Sequence, residues 1–223
     1  VNKYSFDVSK YDFKETVRSF LNVDSLEHIH KDKSFSYDTT FTRDKDQSTH
    51  WHEKYYDRSN PFFDLYVEFI DHEVSKLYNE SIVYQRIPNI RFHFPENIAV
   101  GEWHRDRQYR DLKWSNDVKE LNFYLPLVNA YGTNTIWHET QEGLEDFRSM
   151  DCEYGNFCQW DASNLLHGNK KNLTSITRVS IDFRVIPQSR FKELGGVGSI
   201  NTKTKFGIGG YYELCETPST IKS

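Results

Sequence analysis

The sequence predicts a mainly β fold with some α structure: a double-stranded β-helix (jelly roll) with flanking N-terminal helices. Two observations carry this expectation. Apolar residues recur at helical spacing up to about residue 80 and at every second position from Ile82 onward. From there, runs rich in β-branched and aromatic residues are cut by turn signals at Pro88-Asn89, Pro95-Glu96-Asn97, Asn129-Ala130-Tyr131-Gly132 and Asp161-Ala162-Ser163. That is the pattern of many short strands in a two-sheet barrel. At 223 residues the chain suits a single domain: a helical section over about 1–80, a jelly-roll core over about 82–187 and an irregular tail over 188–223.

Taken in order, Phe13, Val17, Phe20 and Leu21 share one side of a helix that Asp12 is placed to cap. A second short helix is expected from Ser25 towards His30. Residues 32–58 show no clean period and read as loop with short strands. Asn60 to Asn79 is the clearest helix, with Asn60 as cap, Pro61 in the first turn, and Phe62, Leu65, Tyr66, Phe69, Ile70, Val74 and Leu77 as its apolar stripe. The expected strands are Ile82–Ile87, Asn89–Phe94, Ile98–His104, Glu120–Val128, Thr133–His138, Asn156–Trp160 and Arg178–Ile186. The tail carries Gly195-Gly196-Val197-Gly198 and Gly207-Ile208-Gly209-Gly210 outside any strand–glycine–helix context, so it reads as turns and not as a phosphate loop.

Alternation sorts the strands into faces. Leu121, Phe123, Leu125 and Leu127 oppose Asn122 and Tyr124, and Val179, Ile181, Phe183 and Val185 oppose Arg178, Ser180, Asp182 and Arg184. The period alone leaves open whether the polar faces are wet or line an interior. A net charge of −5 argues against a nucleic-acid partner, and no apolar run is long enough to cross a bilayer. The first residues lack a signal-peptide apolar region, and Cys152, Cys158 and Cys215 are odd in number and form no C-x-x-C pair. A cytoplasmic protein with reduced thiols is expected, a Cys152–Cys158 bridge being the alternative.

Chemistry concentrates in Trp103-His104-Arg105-Asp106 and in Leu166-His167-Gly168. His104-x-Asp106 with a distant His167 has the ligand inventory of a 2-His-1-carboxylate triad, which holds one face of a non-haem Fe(II) and leaves the other positions open. Arg178 follows His167 by eleven positions, with Ser180 on the same face. A guanidinium fork and a hydroxyl so placed suit a carboxylate, the alternative being a structural pair of Arg178 with Asp182 or Glu153.

These runs, with Asn122-Phe123-Tyr124-Leu125-Pro126-Leu127, Asn134-Thr135-Ile136-Trp137-His138-Glu139 and Arg178-Val179-Ser180, resemble the Fe(II)/2-oxoglutarate-dependent dioxygenases. The resemblance is to the phytanoyl-CoA-hydroxylase-like branch, and more narrowly to small oxygenases of the streptomycin-biosynthesis type. It covers about residues 90–187. It implies that His104, Asp106 and His167 bind Fe(II). Arg178 with Ser180 would hold the distal carboxylate of 2-oxoglutarate, and Asn122 or Tyr124 would contact that co-substrate. The implied reaction consumes O2, releases succinate and CO2 and hydroxylates a small molecule. Because Asp106 is kept, halogenation is not implied. A cupin-like metal-dependent isomerase without 2-oxoglutarate is the alternative, and a catalytically silent binding barrel a third.

Substrate-side candidates are Arg91, His93, Trp103, Arg105 and His52. Arg91 and His93 either line the pocket or join a buried ion network with Asp182. His50-Trp51-His52 has the look of a metal pair, but nothing nearby completes it, and a substrate-facing loop is the other reading. Basic residues around the motif (Arg105, Arg107, Arg110, Lys113) outnumber Glu102 and Asp111, which suggests a polar, even anionic, small-molecule substrate or simply a solvated charged loop. Oligomeric state leaves no mark on the sequence.

Overall fold

The computed structural model describes residues 1–32, 49–99, 102–109, 118–192 and 205–216. Its architecture is mainly β, with antiparallel sheets and a few helices. Ten strands are present among the described residues: β1 (Asn2–Ser5), β2 (Ile82–Gln85), β3 (Asn89–His93), β4 (Leu121–Pro126), β5 (Ile136–His138), β6 (Arg148–Ser149), β7 (Asn156–Trp160), β8 (His167–Asn169), β9 (Arg178–Pro187) and β10 (Tyr212–Cys215). A large sheet runs β1-β7-β4-β9-β2-β10, and a small one runs β6-β5-β8. β9 is long enough to serve two partners in succession along one edge: β3 pairs with its first half (His93 opposite Arg178) and β2 with its second (Ile82 opposite Pro187).

The large sheet has two unlike faces, and the helices choose between them. α1 (Phe13–Leu21) starts where the Asp12 carboxylate accepts the Glu15 N–H, and it ends at Asn22 in a left-handed conformation with φ 55°. α3 (Phe62–Phe69) starts where Asn60 Oδ1 accepts the Phe62 N–H at 3.1 Å. Their buried residues (Phe13, Val17 and Leu21; Phe62, Tyr66 and Phe69) join Phe123, Leu125, Val179, Ile181, Phe183 and Val185 of β4 and β9 in one core. Aromatic edges make the contact, with Tyr66 5.3 Å from Phe183 and Phe69 5.2 Å from Phe157 between ring centroids. With the apolar face covered, the residues that alternate with it (Asn122 and Tyr124; Arg178, Ser180, Asp182 and Arg184) look the other way.

Several elements differ from expectation, each for a local reason. The helix expected over 60–79 widens into a π-helical stretch at Ile70–Val74 and closes with a 3-10 turn at Ser75–Leu77. Between Ser25 and His30 there is no helix, only a 3-10 turn at Ile29–Lys31, because the Glu27 carbonyl accepts the Thr177 N–H at 2.8 Å and is lost to a local ladder. Within 32–58, a segment read as loop, α2 (His50–Tyr55) is helical and buries Trp51 and Tyr55 one turn apart; residues 33–48 lie outside the described residues. The strand expected over 98–104 reduces, among described residues, to one bridge between His104 and His167. Thr133 and Asn134 fall in a turn closed by the Asn134 N–H on the Tyr131 carbonyl, so β5 begins only at Ile136.

Four strands went unforeseen: β1, β6, β8 and β10. They are two to four residues long, too short for a period to register. β10 corrects the reading of the tail as turns alone, since Tyr212–Cys215 pairs antiparallel with Ile82–Gln85. All three cysteines are free and buried, so no Cys152–Cys158 bridge forms. Among the described residues no helix is long and apolar enough to cross a membrane.

The aromatic centre of this core should be the most sensitive point of the fold. Phe69 is fully buried and touches Phe6, Tyr11, Phe13 and Phe157. Phe69→Ala is expected to cost about 3–5 kcal/mol, read as a lower urea midpoint with an unchanged slope.

Candidate metal centre

Two backbone hydrogen bonds place the histidines opposite each other: the His104 N–H donates to the His167 carbonyl at 2.9 Å, and the His167 N–H donates back at 3.0 Å. The Asp106 N–H donates to the Ala162 carbonyl at 2.9 Å, which fixes the start of a 3-10 turn at Asp106–Tyr109. The two imidazoles lie 4.4 Å apart by ring centroid, and the ligand atoms of His104, Asp106 and His167 all fall within 4.8 Å of one another. Among the described residues this is the one group of three or more His, Cys, Asp or Glu side chains that converges in this way.

The second ring nitrogens settle which atoms face the centre. His104 Nδ1 lies 2.9 Å from the Glu102 carbonyl, and His167 Nδ1 lies 2.9 Å from the Leu165 carbonyl. A carbonyl only accepts, so in each neutral ring the proton sits on Nδ1 and the Nε2 lone pair is free. Both Nε2 atoms point at Asp106 Oδ1, at 3.4 and 3.7 Å. The other oxygen, Oδ2, accepts from Asn122 Nδ2 at 3.0 Å and from Arg184 Nη2 at 2.8 Å. One carboxylate oxygen is thus anchored and the other turned to the imidazoles.

Electrostatics follow from this geometry. Burial works against the Asp106 charge, but Arg184 and then the two histidines outweigh it and hold the carboxyl well below its ordinary value. Burial pushes His167 down to about 4, so it is a neutral donor at neutral pH. For His104 burial acts in the same direction, yet the hydrogen bond and charge of Asp106 prevail and raise it.

A second polar cluster lies on the face of the large sheet from which Asn122 and Arg184 reach Asp106. Arg178 is buried, its Nε and Nη1 have no hydrogen-bond partner, and the same is true of Tyr124 Oη and Asn122 Oδ1. The Arg178 guanidinium carbon sits 5.9 Å from the centre of the Tyr124 ring, and Ser180 is buried two positions along. Leaving a buried guanidinium unpaired is costly, so the arrangement asks for an anionic partner. Neither structural pairing expected for Arg178 forms among the described residues: Asp182 faces Asn89 (2.9 Å), Arg91 (3.3 Å) and Arg184 (3.7 Å), and no ion pair joins Arg178 to Glu153.

The substrate-side candidates scatter. Arg91 pairs with Asp182. His93 is enclosed, with Nδ1 3.1 Å from the Asn134 carbonyl and Nε2 2.9 Å from that of Asn97; burial, then Arg178, pushes it down to about 3. His52 is also buried, 2.8 Å from Thr49 Oγ1 and edge-on to Phe92, and burial, then Arg91, takes it down to about 3. Trp103 is 38% exposed and packs on Phe147. Arg105 is spoken for by Glu139 at 2.7 Å, and Arg107 by Glu142 at 2.5 Å, so much of the basic excess is neutralised locally. Arg110, Lys113 and Trp114 lie outside the described residues. Arg184 is the group that reading the sequence passed over. The signal was there: it shares the face of Arg178, Ser180 and Asp182.

No protein-family model matches the chain. It is 32% identical over 208 residues to the streptomycin biosynthesis protein StrG of Streptomyces griseus, a match spanning 93% of this chain and 95% of that one. Among solved structures it resembles EctD from S. alaskensis with 2-oxoglutarate and 5-hydroxyectoine, with a TM-score of 0.53, 13% identity and coverage of 86% of this chain and 73% of that one. The same protein with bound Fe aligns with a TM-score of 0.50 at 13% identity, over 84% and 72%. The EctD likeness establishes a shared fold. The chain belongs to the family of the streptomycin biosynthesis protein StrG.

Two outcomes are expected from this geometry. His52 and His93 sit far below the 6.5 of an ordinary histidine, so below pH 6.5 the unfolded chain binds more protons than the folded one. The contribution of these two histidines to stability is therefore full above pH 6.5 and declines as pH falls from 6.5 towards 3. A urea midpoint measured at pH 7 and pH 5 should drop, and drop less in His52→Asn. Separately, a Cβ at Gly168 would lie 2.8 Å from Trp103 Cδ2. Gly168→Ala should displace the indole beside His104, seen as a shift in Trp fluorescence and weaker metal binding.

Proposed function

We propose that the protein is an Fe(II)- and 2-oxoglutarate-dependent oxygenase of the phytanoyl-CoA-hydroxylase-like branch. In this reading the two sheets form a double-stranded β-helix, and residues 1–223 work as one domain. Its reaction hydroxylates a polar small molecule with consumption of O2 and release of succinate and CO2. One observation carries the reading: the face of the large sheet that meets the His104/Asp106/His167 centre through Asn122 and Arg184 also carries a buried guanidinium, that of Arg178, whose Nε and Nη1 are unpartnered. Imidazole and carboxylate donors in this number suit Fe(II), and three protein ligands leave room for a chelating co-substrate.

Fe(II) held here would supply, with 2-oxoglutarate, the oxidising power to activate O2 and hydroxylate a C–H bond. The chain's own part is to bind and orient. His104 and His167 present Nε2, Asp106 presents Oδ1, and Arg178 with Ser180 receives the distal carboxylate of 2-oxoglutarate through charge-assisted hydrogen bonds. Asn122 Oδ1 and Tyr124 Oη, both unpartnered, border that co-substrate. A cupin-like isomerase lacking 2-oxoglutarate would leave Arg178 without a use, which favours the oxygenase. The printed name of the relative, a streptomycin biosynthesis protein, supports a biosynthetic role on a small molecule. Trp103, half-exposed beside His104, is the substrate-side candidate best placed to meet it, ahead of Arg91, Arg105, His52 and His93. The expectation of an anionic substrate loses force because Arg105 and Arg107 are paired with carboxylates.

Anaerobic visible spectroscopy tests the proposal. A weak charge-transfer band should develop only when Fe(II) and 2-oxoglutarate are both added. In Arg178→Ala the affinity for 2-oxoglutarate should fall by about 30-fold or more, since removing one partner of a buried charge pair costs about 2–5 kcal/mol. Fe(II) binding without any band would move the protein to the cupin-like class, and an unchanged 2-oxoglutarate affinity in Arg178→Ala would overturn the role given to Arg178.

A further inference from the structure

Arg184 lies in the second half of β9, beyond the residues that the metal-site motif or the co-substrate pocket requires. Its guanidinium nevertheless connects four parts of the chain. Nη2 donates to Asp106 Oδ2 at 2.8 Å. Nη1 donates to Gln85 Oε1, at the end of β2, and to Tyr211 Oη, in the turn just before β10, at 3.1 Å each. Nε faces Glu120 Oε1 at 3.5 Å, and Glu120 Oε2 accepts the Tyr212 hydroxyl at 2.5 Å. Asp182 Oδ1 stands 3.7 Å from Nη1. The side chain retains 13% of its exposure, so these contacts are made largely out of water.

A planar fork held on one side by Gln85 and Tyr211 cannot swivel, and it presents Nη2 to Asp106 in one orientation. Together with Asn122 Nδ2, which reaches the same oxygen at 3.0 Å, it pins Oδ2 and leaves Oδ1 aimed at both histidine Nε2 atoms. We propose that Arg184 is a positioning residue for the metal-binding carboxylate, and that the turn before β10, through Tyr211, completes the metal centre from outside the motif. The inference rests on the reading of His104, Asp106 and His167 as metal ligands.

The two roles open to Arg184 predict opposite signs. A cation beside a ligand carboxylate repels a divalent metal, so if Arg184 only added charge, removing it would tighten binding. If it positions Asp106, removing it frees the carboxylate to rotate and weakens binding, by about 10–100-fold for an outer-shell partner of a ligand. Co(II), added anaerobically and followed by its visible absorption, reads the dissociation constant without turnover.

Arg184→Gln should bind Co(II) about 10–100-fold more weakly than wild type. Arg184→Lys, which keeps the charge but not the fork, should fail to restore the affinity. Tyr211→Phe, which removes one hydroxyl, should weaken binding by a smaller factor with an unchanged far-UV circular dichroism spectrum. Tyr211→Phe decides the matter should Arg184→Gln not fold. Affinity equal to or tighter than wild type in Arg184→Gln, full rescue by Arg184→Lys, or unchanged affinity in Tyr211→Phe overturns the proposal. Those results leave the metal centre standing, provided that wild type binds Co(II) and Asp106→Ala does not. A wild type that fails to bind Co(II), or an Asp106→Ala that binds as tightly, overturns the metal centre and this inference together.

Discussion

A carboxylate taken out of water must be compensated, and Asp106 is the carboxylate around which this molecule is compensated. It is 7% exposed, and one of its oxygens takes two hydrogen bonds, one charged and one neutral. A buried ion pair of this kind contributes little net stability against an apolar substitute, while breaking one side of it is expensive. Its value lies in specification: Arg184 and Asn122 select which oxygen faces the histidines. β4 and β9 must then sit side by side in the register observed, with Asn122 opposite Arg184. A slip of either strand by one residue would turn its own member of this pair into the helical core.

That register also explains why a strongly polar centre coexists with an aromatic-rich core. Every second residue of β9 belongs to the cluster of Phe13, Phe62, Tyr66 and Phe69, and the residues between them belong to the metal side. The helices act as the apolar lid of the sheet, and their burial holds the polar face where it is. The N-terminal strand β1 and the C-terminal strand β10 extend the sheet at its two edges, so segments distant from the motif still bear on the strands that carry it.

Two arginines on one strand, one buried and one largely so, differ in their partners. Arg184 is surrounded by acceptors and is spent within the protein. Arg178, six positions earlier on the same face, keeps unpartnered N–H groups beside Tyr124 and Ser180. Arg184 has acceptors on both Nη1 and Nη2 and a carboxylate facing Nε, whereas Arg178 has no acceptor on Nε or Nη1. Arg105 and Arg107 are like Arg184 in being met by a carboxylate, each by a glutamate of the 139–142 segment. Local positive charge in the sequence therefore overstated the positive charge on offer.

Much of the site was legible in order of sequence, because metal ligation depends on residue type and on strand alternation. His104, Asp106 and His167 converge, and Asn122, Tyr124, Arg178, Ser180 and Arg184 share a face as the period of two requires. What stayed hidden has a common cause. β1, β6, β8 and β10 are too short to carry a period and are defined by the partner strands they pair with: β7, β5, β5 and β2. α2 is helical because Trp51 and Tyr55 find the core one turn apart, within a run that no local pattern marks. By itself the sequence determined which residues lie together on a face and which chemistry they carry. Tertiary structure alone decided that the polar faces turn inward and that Tyr211 reaches Arg184. Both outcomes depend on what packs against the other side of the sheet, and that partner is remote in the chain.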